Sequence, residues 1–126
     1  MEINLTMTNP KVSVVVLSWN AVEKTLDCLD SILQTNYGDF EIILVDDCSD
    51  VETADKLKKE YGNNDKIKLI FNEKNLGPAV GRNVGFRNSS ENAKYIAFFD
   101  NDTIIPKEYI GQLVDVMEKE DKIMGV

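Results

Sequence analysis

Val12-Ser13-Val14-Val15-Val16-Leu17 is the stretch that decides the fold, because a single serine interrupts an otherwise apolar run. A short run this rich in valine predicts a β-strand that is covered on both faces, as the strands of parallel sheets are. Similar segments follow at 40–45, 66–71 and 94–99, each after enough chain for a helix. Strands that alternate with helices predict a doubly wound α/β fold with a mainly parallel sheet.

The segments between these strands carry helix signals. Asn20 and Glu23 have the spacing of an N-cap and its capping box. The other expected helix starts are Asp50, Gly77 with Pro78, and Pro106. The expected buried faces are Val22, Leu26, Leu29 and Leu33 in the first helix, Ala54, Leu57 and Tyr61 in the second, and Ile110, Leu113, Val114 and Met117 in the fourth. The third helix is rich in glycine, which costs about 1 kcal/mol per interior residue and therefore predicts close packing or close ligand approach. Residues 122–126 predict the start of a fifth strand, so we expect 1–126 to be one incomplete domain.

Composition narrows the classes of function. The chain has 126 residues, a formal net charge of −8 and no histidine. The negative charge argues against a general nucleic-acid surface, and the lack of histidine removes Ser-His-Asp catalysis and most zinc sites. Cys28 and Cys48 are not expected to pair, which favours a reducing compartment. Without a signal-peptide pattern or a bilayer-spanning run, the expected location is the cytoplasm, at the inner face of the membrane if a longer protein is tethered there.

Polar turns follow three of the predicted strands. They are Ser18-Trp19-Asn20, Asp46-Asp47-Cys48-Ser49 and Asp100-Asn101-Asp102. Because the carboxyl ends of parallel strands meet at one edge of a sheet, we expect these turns to lie close together. Two carboxylates one residue apart suit a hard divalent cation that also binds substrate phosphates. The pattern predicts a metal-assisted nucleotide site.

A nucleotide at this edge offers each polar residue a role. Asp47 would accept a hydrogen bond from the N–H of a uracil or thymine ring, and backbone groups at 17–19 would line the base pocket. Asp100 would bind ribose hydroxyls or assist the cation, and Asp102 would ligate it. Arg82, near a helix N-terminus, would add positive charge beside the phosphates. Taken one at a time, these residues also have structural explanations as helix caps, solvated charges or a half-buried ring.

Four segments together resemble the N-terminal half of family-2 glycosyltransferases with the GT-A fold. They are VSVVVLSWN at 12–20, EIILVDDCS at 41–49, NLGPAVGRNVG at 75–85 and FDND at 99–102. The resemblance implies transfer of a sugar, with inversion, from a nucleotide diphosphate donor to a glycan or lipid-linked acceptor in polysaccharide biosynthesis. It also implies Mg²⁺ or Mn²⁺ bound chiefly by Asp102 with Asp100, and recognition of uracil or thymine by Asp47. The residues it assigns to the nucleotide sugar are Leu17, Ser18, Trp19, Asn20, Asp47, Gly77, Arg82, Asp100 and Asn101.

The chain departs from the family pattern at a few positions. Leu17-Ser18-Trp19-Asn20 stands where many members have Pro-Thr-Tyr-Asn, and the tryptophan form is similar to rhamnosyltransferase-like branches, which points towards a dTDP-sugar as an alternative to a UDP-sugar. Cys48 replaces a common glycine, and Gly81 replaces a common alanine. No residue matches the family's catalytic carboxylate, which takes the acceptor proton. We therefore expect the general base beyond Val126, and little or no turnover by this chain alone.

Two other classes of function stay open. One is a non-catalytic nucleotide-binding or assembly module whose carboxylates are structural. The other is a receiver-like phosphoacceptor domain, although in receivers the acidic pair follows the first strand. The spacing of Gly77, Gly81 and Arg82 matches neither the Rossmann nor the P-loop glycine pattern. An unfinished sheet edge would favour association of two copies, so a homodimer is a further alternative.

Overall fold

Four strands alternate with four helices along the chain. The computed structural model describes residues 9–123. The elements are β1 (Val12–Ser18), α1 (Val22–Leu33), β2 (Phe40–Asp46), α2 (Val51–Tyr61), β3 (Ile67–Phe71), α3 (Pro78–Asn88), β4 (Tyr95–Asp100) and α4 (Tyr109–Ile123). The predicted strands and the first three predicted helices are all present, with ends that shift by one or two residues.

The four strands form one parallel sheet in the order β3-β2-β1-β4. Val12 of β1 pairs with Phe40 of β2 on one side and with Tyr95 of β4 on the other. β2 and β3 therefore lie on one side of β1, and β4 lies on its other side. In open α/β sheets, the carboxyl ends of the strands beside such a reversal form the crevice that binds ligands.

Helices cover both faces of the sheet, which confirms the predicted doubly wound α/β fold. On one face, Val12, Val14 and Val16 belong to a buried cluster shared with α1, α2 and α4. On the other face, Val15 packs with Ile43 and Val45 beneath α3. β1 is thus apolar on both sides, as its run of valines requires.

The glycines of α3 let this helix lie directly on the sheet. A Cβ atom added at Gly85 would lie 2.3 Å from Val15 Cγ1, and one added at Gly81 would lie 3.1 Å from Leu17 Cδ2. Carbon atoms in contact are normally about 3.5–4.0 Å apart. The close packing predicted from the glycine-rich sequence is therefore present, and it brings the start of α3 next to the end of β1.

The predicted start of α1 is wrong. Asn20 does not cap the helix: Ala21 occupies the N-cap position with a φ of 48° and makes no side-chain cap. Asn20 has a φ of 52°, and its Oδ1 atom accepts a hydrogen bond from the Asp50 N–H at 3.0 Å. The side chain is used to join two loops, so it is not available to cap its own helix. Asp50, by contrast, caps α2 as predicted, with Oδ1 2.8 Å from Thr53 N.

The last predicted helix also differs from the structure. Pro106 lies in a turn and α4 begins at Tyr109, because the Ile105 side chain is buried and its N–H donates to Ser31 Oγ at 3.2 Å. Ile110 and Val114 are buried as predicted. Leu113 and Met117 are 37% and 42% exposed, since they face a groove beside β4, an edge strand of the sheet.

The predicted fifth strand is not seen. α4 continues through Ile123, so the first two residues of the range 122–126 are helical, and the remaining three lie outside the described residues. Across residues 9–123, no helix has both the length and the apolar character needed to cross a bilayer.

Candidate functional site

A cavity of about 490 Å³ opens at the carboxyl edge of the sheet, between the ends of β1 and β4 and the start of α3. Seven of the predicted site residues line it: Leu17, Ser18, Trp19, Asp47, Gly77, Asp100 and Asn101. Val45, Asn75, Pro78 and Gly81 complete the wall. Segments that are far apart in sequence thus meet at the reversal in strand order, as the parallel-sheet prediction requires.

Three predicted site residues lie outside this lining. Asn20 lies in the loop that joins β1 to α1, where its backbone N–H donates to Ser49 Oγ at 2.6 Å. Arg82 is exposed on α3, and Asp102 is exposed in the turn after β4. The cavity lining therefore contains two charged side chains, Asp47 and Asp100, and both are acidic.

Asp47 ties the end of β2 to the start of α3. Its Oδ1 atom accepts hydrogen bonds from Leu76 N at 2.8 Å and Asn72 Nδ2 at 3.2 Å, and its Oδ2 atom accepts from Gly77 N at 2.9 Å. Partial burial raises the pKa of the Asp47 carboxyl, but these three hydrogen bonds outweigh it and hold the pKa below its ordinary value. Asp47 is therefore a carboxylate at neutral pH, and its oxygens already serve the chain's own donors.

Trp19 forms an exposed wall of the cavity, and its orientation depends on Asn75. The indole is 57% exposed. With the Asn75 amide turned to satisfy both neighbours, its oxygen accepts from Trp19 Nε1 at 3.2 Å and its nitrogen donates to Asp47 Oδ2 at 3.1 Å. Asn75 thus links the aromatic wall to the carboxylate. Asn75 begins the segment at 75–85, but the sequence pattern did not predict a role for its side chain.

Backbone conformation at the rim is unusual in two neighbouring loops. The non-glycine residues with positive φ are Asn20, Ala21 and Cys48, at 52°, 48° and 66°, among residues 9–123. Buried Asp46 holds the second loop, since its carboxylate accepts from Ser49 N at 2.9 Å and Ser49 Oγ at 2.6 Å. Asp46 is therefore a structural residue, whereas its neighbour Asp47 faces the cavity.

Asp100, Asn101 and Asp102 form the turn after β4. Asp100 and Asp102 are exposed, whereas Asn101 is partly buried and donates from Nδ2 to Thr25 Oγ1 at 2.9 Å. The Cys28 thiol lies 3.7 Å from the Asp100 carbonyl oxygen, and burial raises the pKa of this thiol to about 11, so it stays protonated. The turn thus presents its two carboxylates outward and its amide inward.

The chemistry of this turn fits a hard divalent cation that shares its ligands with a substrate. Within residues 9–123, no cluster of three or more His, Cys, Asp or Glu side chains is arranged to enclose a metal ion. Asp100 and Asp102 supply two carboxylates, and Mg²⁺ commonly binds one or two carboxylates together with substrate phosphates and water. These two carboxylates would hold a cation only together with further oxygen ligands from a substrate or water.

Comparison with known proteins places the chain in a family. Residues 13–126 match the family model for glycosyl transferase family 2. The chain belongs to this family. The family and the GT-A fold predicted from the four sequence segments are thereby confirmed.

Similar bacterial glycosyltransferases extend the match. An uncharacterized glycosyltransferase of Rickettsia bellii is 32% identical over 119 residues, which are 94% of this chain and 17% of that protein. The putative teichuronic acid biosynthesis glycosyltransferase TuaG of Bacillus subtilis is 34% identical over 113 residues, which are 88% of this chain and 44% of that protein. The chain therefore spans less than half the length of these relatives.

Two solved structures resemble the fold. S. aureus TarS, residues 1–349, in complex with UDP-GlcNAc superposes with a TM-score of 0.75 and 28% identity, over 86% of this chain and 31% of that one. The mannosyltransferase PcManGT of Pyrobaculum calidifontis superposes with a TM-score of 0.77 at 20% identity, over 86% of this chain and 32% of that one, and supports the fold alone. This glycosyl transferase family 2 chain therefore shares its sheet with larger glycosyltransferases.

Proposed function

We propose that this chain is the donor-nucleotide-binding part of an inverting glycosyltransferase that uses a UDP- or dTDP-sugar. The acceptor is proposed to be a glycan or a lipid-linked hydroxyl, in cytoplasmic polysaccharide biosynthesis. The observation that carries the proposal is the cavity at the strand-order reversal, where Asp47, Trp19 and Asp100 meet from three strand ends. Family membership makes sugar transfer the chemistry to expect of the whole protein.

The base is proposed to bind between Trp19 and Asp47. A uracil or thymine ring offers an N–H donor, and Asp47 is an ionised acceptor in the cavity wall. Because the Asp47 oxygens already receive donors from the chain, the ring N–H would replace the Asn72 amide, the longer of the two hydrogen bonds at Oδ1. The complex of TarS with UDP-GlcNAc supports a uridine donor for this chain.

A divalent cation, Mg²⁺ or Mn²⁺, is proposed to bind at Asp102 with help from Asp100. The cavity lining is acidic, so a diphosphate would be repelled there unless a cation neutralised it. When bound, the ion supplies Lewis-acid stabilisation of the leaving diphosphate. Asp100 and Asp102 would hold that ion at the edge of the cavity, and Arg82 would add a positive charge from α3.

The acceptor side of the reaction is proposed to lie elsewhere in the full protein. An inverting transfer needs a carboxylate that removes the acceptor proton. Asp46 is buried within its turn, and Asp47, Asp100 and Asp102 are assigned to the donor. The isolated 126-residue chain is therefore expected to bind the nucleotide without efficient sugar transfer.

Isothermal titration calorimetry of the chain with UDP and with dTDP, each with and without Mn²⁺, tests the proposal. We expect binding that depends on Mn²⁺, and we expect Asp102→Asn to weaken it roughly tenfold or more, because even the outer partners of metal ligands are worth 10–100-fold in affinity. Asp65→Asn is the matched control, since it removes one carboxylate in the turn before β3, at the opposite edge of the sheet. If neither nucleotide binds in the presence of Mn²⁺, the carboxylates are structural, and the alternative of a non-catalytic module is favoured over a glycosyltransferase donor site.

A further inference from the structure

One face of α1 holds the segment that follows β4. Four small polar side chains, spaced three or four residues apart along and just beyond this helix, each hydrogen-bond to a group between residues 100 and 107. The pairs are Thr25 Oγ1 with Asn101 Nδ2 at 2.9 Å, Cys28 Sγ with the Asp100 carbonyl at 3.7 Å, Ser31 Oγ with Ile105 N at 3.2 Å and Thr35 Oγ1 with the Lys107 carbonyl at 3.1 Å. The loop that carries the acidic turn is thus fastened along its length to one helix.

Thr25 is the member of this series that reaches a side chain of the acidic turn. It is completely buried, and its hydroxyl lies 2.9 Å from Asn101 Nδ2, 3.1 Å from Ser18 Oγ and 3.4 Å from the Ala21 carbonyl. A hydroxyl has one proton to donate and two lone pairs that accept. Its one proton and two lone pairs are therefore enough for all three neighbours, with the Asn101 amide as a donor to it.

The bond to Thr25 lies on the inward side of the acidic turn. Asn101 is drawn inward to Thr25, and the residues on either side, Asp100 and Asp102, are exposed. Ser18 lies at the end of β1 and lines the same cavity, so the hydroxyl pair joins two walls of the site. Through Ser18 and Asn101, the buried Thr25 hydroxyl thus contacts the ends of both β1 and β4.

We propose that Thr25 is a positioning residue for the cation site: by holding Asn101, it sets the separation and direction of the Asp100 and Asp102 carboxylates. The inference rests on the proposed function, because it assumes that these carboxylates bind a divalent cation with the donor diphosphate. Thr25 itself touches neither the ion nor the nucleotide.

The test measures Mn²⁺ affinity in the presence of saturating UDP, by the change in water proton relaxation, together with thermal unfolding. Thr25→Val keeps the side-chain shape and removes the hydroxyl, and we expect it to weaken Mn²⁺ binding roughly tenfold, as the loss of outer-shell partners of metal ligands does. Thr25→Ser restores the hydroxyl and should bring the affinity back to within about twofold of the wild type. Ser31→Ala is the matched control, because it removes a hydrogen bond between the same helix and the same loop outside the acidic turn.

A double-mutant cycle separates positioning from general loss of stability. If Thr25 acts through Asn101, Thr25→Val has no further effect on Mn²⁺ affinity in an Asn101→Ala background. Equal Mn²⁺ affinity for the wild type and Thr25→Val overturns the inference and leaves the proposed function standing. An equal loss of Mn²⁺ affinity in Thr25→Val and Ser31→Ala has the same consequence. If the wild type shows no Mn²⁺-dependent binding of UDP, the inference about Thr25 and the proposed function are both overturned.

Discussion

Gly85→Ala tests whether the contact between α3 and β1 is as tight as the structure shows. The added Cβ atom would lie 2.3 Å from Val15 Cγ1, 3.0 Å from Cγ2 and 3.2 Å from Cβ. Val15 is completely buried on β1, with paired strands on both sides, and a β-branched side chain has little rotamer freedom. The clash must therefore move the helix or the strand.

The expected magnitude follows from two opposing effects. Overpacking a core costs about 1–3 kcal/mol. Alanine gains about 1 kcal/mol over glycine in helix propensity. The net loss at Gly85 should therefore be about 0–2 kcal/mol, and the 2.3 Å approach to Val15 Cγ1 favours the upper end of that range. At Gly81 the nearest atom is Leu17 Cδ2 at 3.1 Å, on a longer and only partly buried side chain that can shift, so Gly81→Ala should be close to neutral.

Urea unfolding followed by far-UV circular dichroism measures both variants on the same chain. Val15→Ala is itself destabilising, because it removes buried methyl groups. Since those methyl groups are the ones that clash, the double variant Val15→Ala/Gly85→Ala should lose less stability than the sum of the two single losses. Equal stability of Gly85→Ala and the wild type would show that α3 lies farther from the sheet. A larger loss for Gly81→Ala than for Gly85→Ala would refute the assigned contacts.

Two other substitutions test the rim of the site. Asp47→Asn should destabilise the chain by about 1 kcal/mol at pH 7, because it loses a charged acceptor. Folding lowers the pKa of Asp47, so this advantage of the wild type is complete above the unfolded pKa and is lost as the pH falls through the folded pKa. The difference in urea midpoint between the wild type and Asp47→Asn should therefore be smaller at pH 3 than at pH 7. A pH-independent difference between the two proteins would contradict this assignment. Ala21→Gly should raise the free energy of unfolding by about 0.5–1 kcal/mol, because glycine accepts the φ of 48° at this N-cap without strain, and a lower thermal midpoint would refute that.

The sheet was predictable from the sequence because its signals are local. A strand that is covered on both faces must be apolar at nearly every position, and the central residues of β1 (14–17) and β2 (42–45) are all apolar. Asp50 and Pro78 likewise mark helix starts through the chemistry of one or two neighbouring residues. The meeting of three loops at one edge then follows from the parallel arrangement alone.

The errors occur where a distant contact replaces a local one. Asn20 has the sequence of a helix cap, but its side chain binds Asp50, which is 30 residues away. Pro106 has the sequence of a helix start, but the burial of Ile105 and its bond to Ser31 hold the chain in a turn. Helix propensity depends on neighbouring residues and therefore takes no account of contacts with Asp50 or Ser31.

The site was predictable only in part for the same reason. Seven of its residues were found because they directly follow strands or open a helix. The contact of Thr25 with Asn101 was not predicted, because a threonine among the apolar positions of an amphipathic helix has no distinguishing mark until its partner is known. Its spacing with Cys28 and Ser31 was the available signal, since three small polar residues three apart on a buried helix face indicate a packed polar segment.

The strand order has a consequence for the way the chain folds. β1 finds its first partner nearby, because Val12 pairs with Phe40, but its second partner begins only at Tyr95. Closing the longer loop costs more chain entropy, so the pairing of β1 with β4 is expected to form late. During synthesis, one side of β1 stays unpaired until the residues from Tyr95 onward have been made. The acidic turn at the end of β4 is therefore placed after β1 to β3 have paired, and occupancy of the cavity reports that β4 has joined β1.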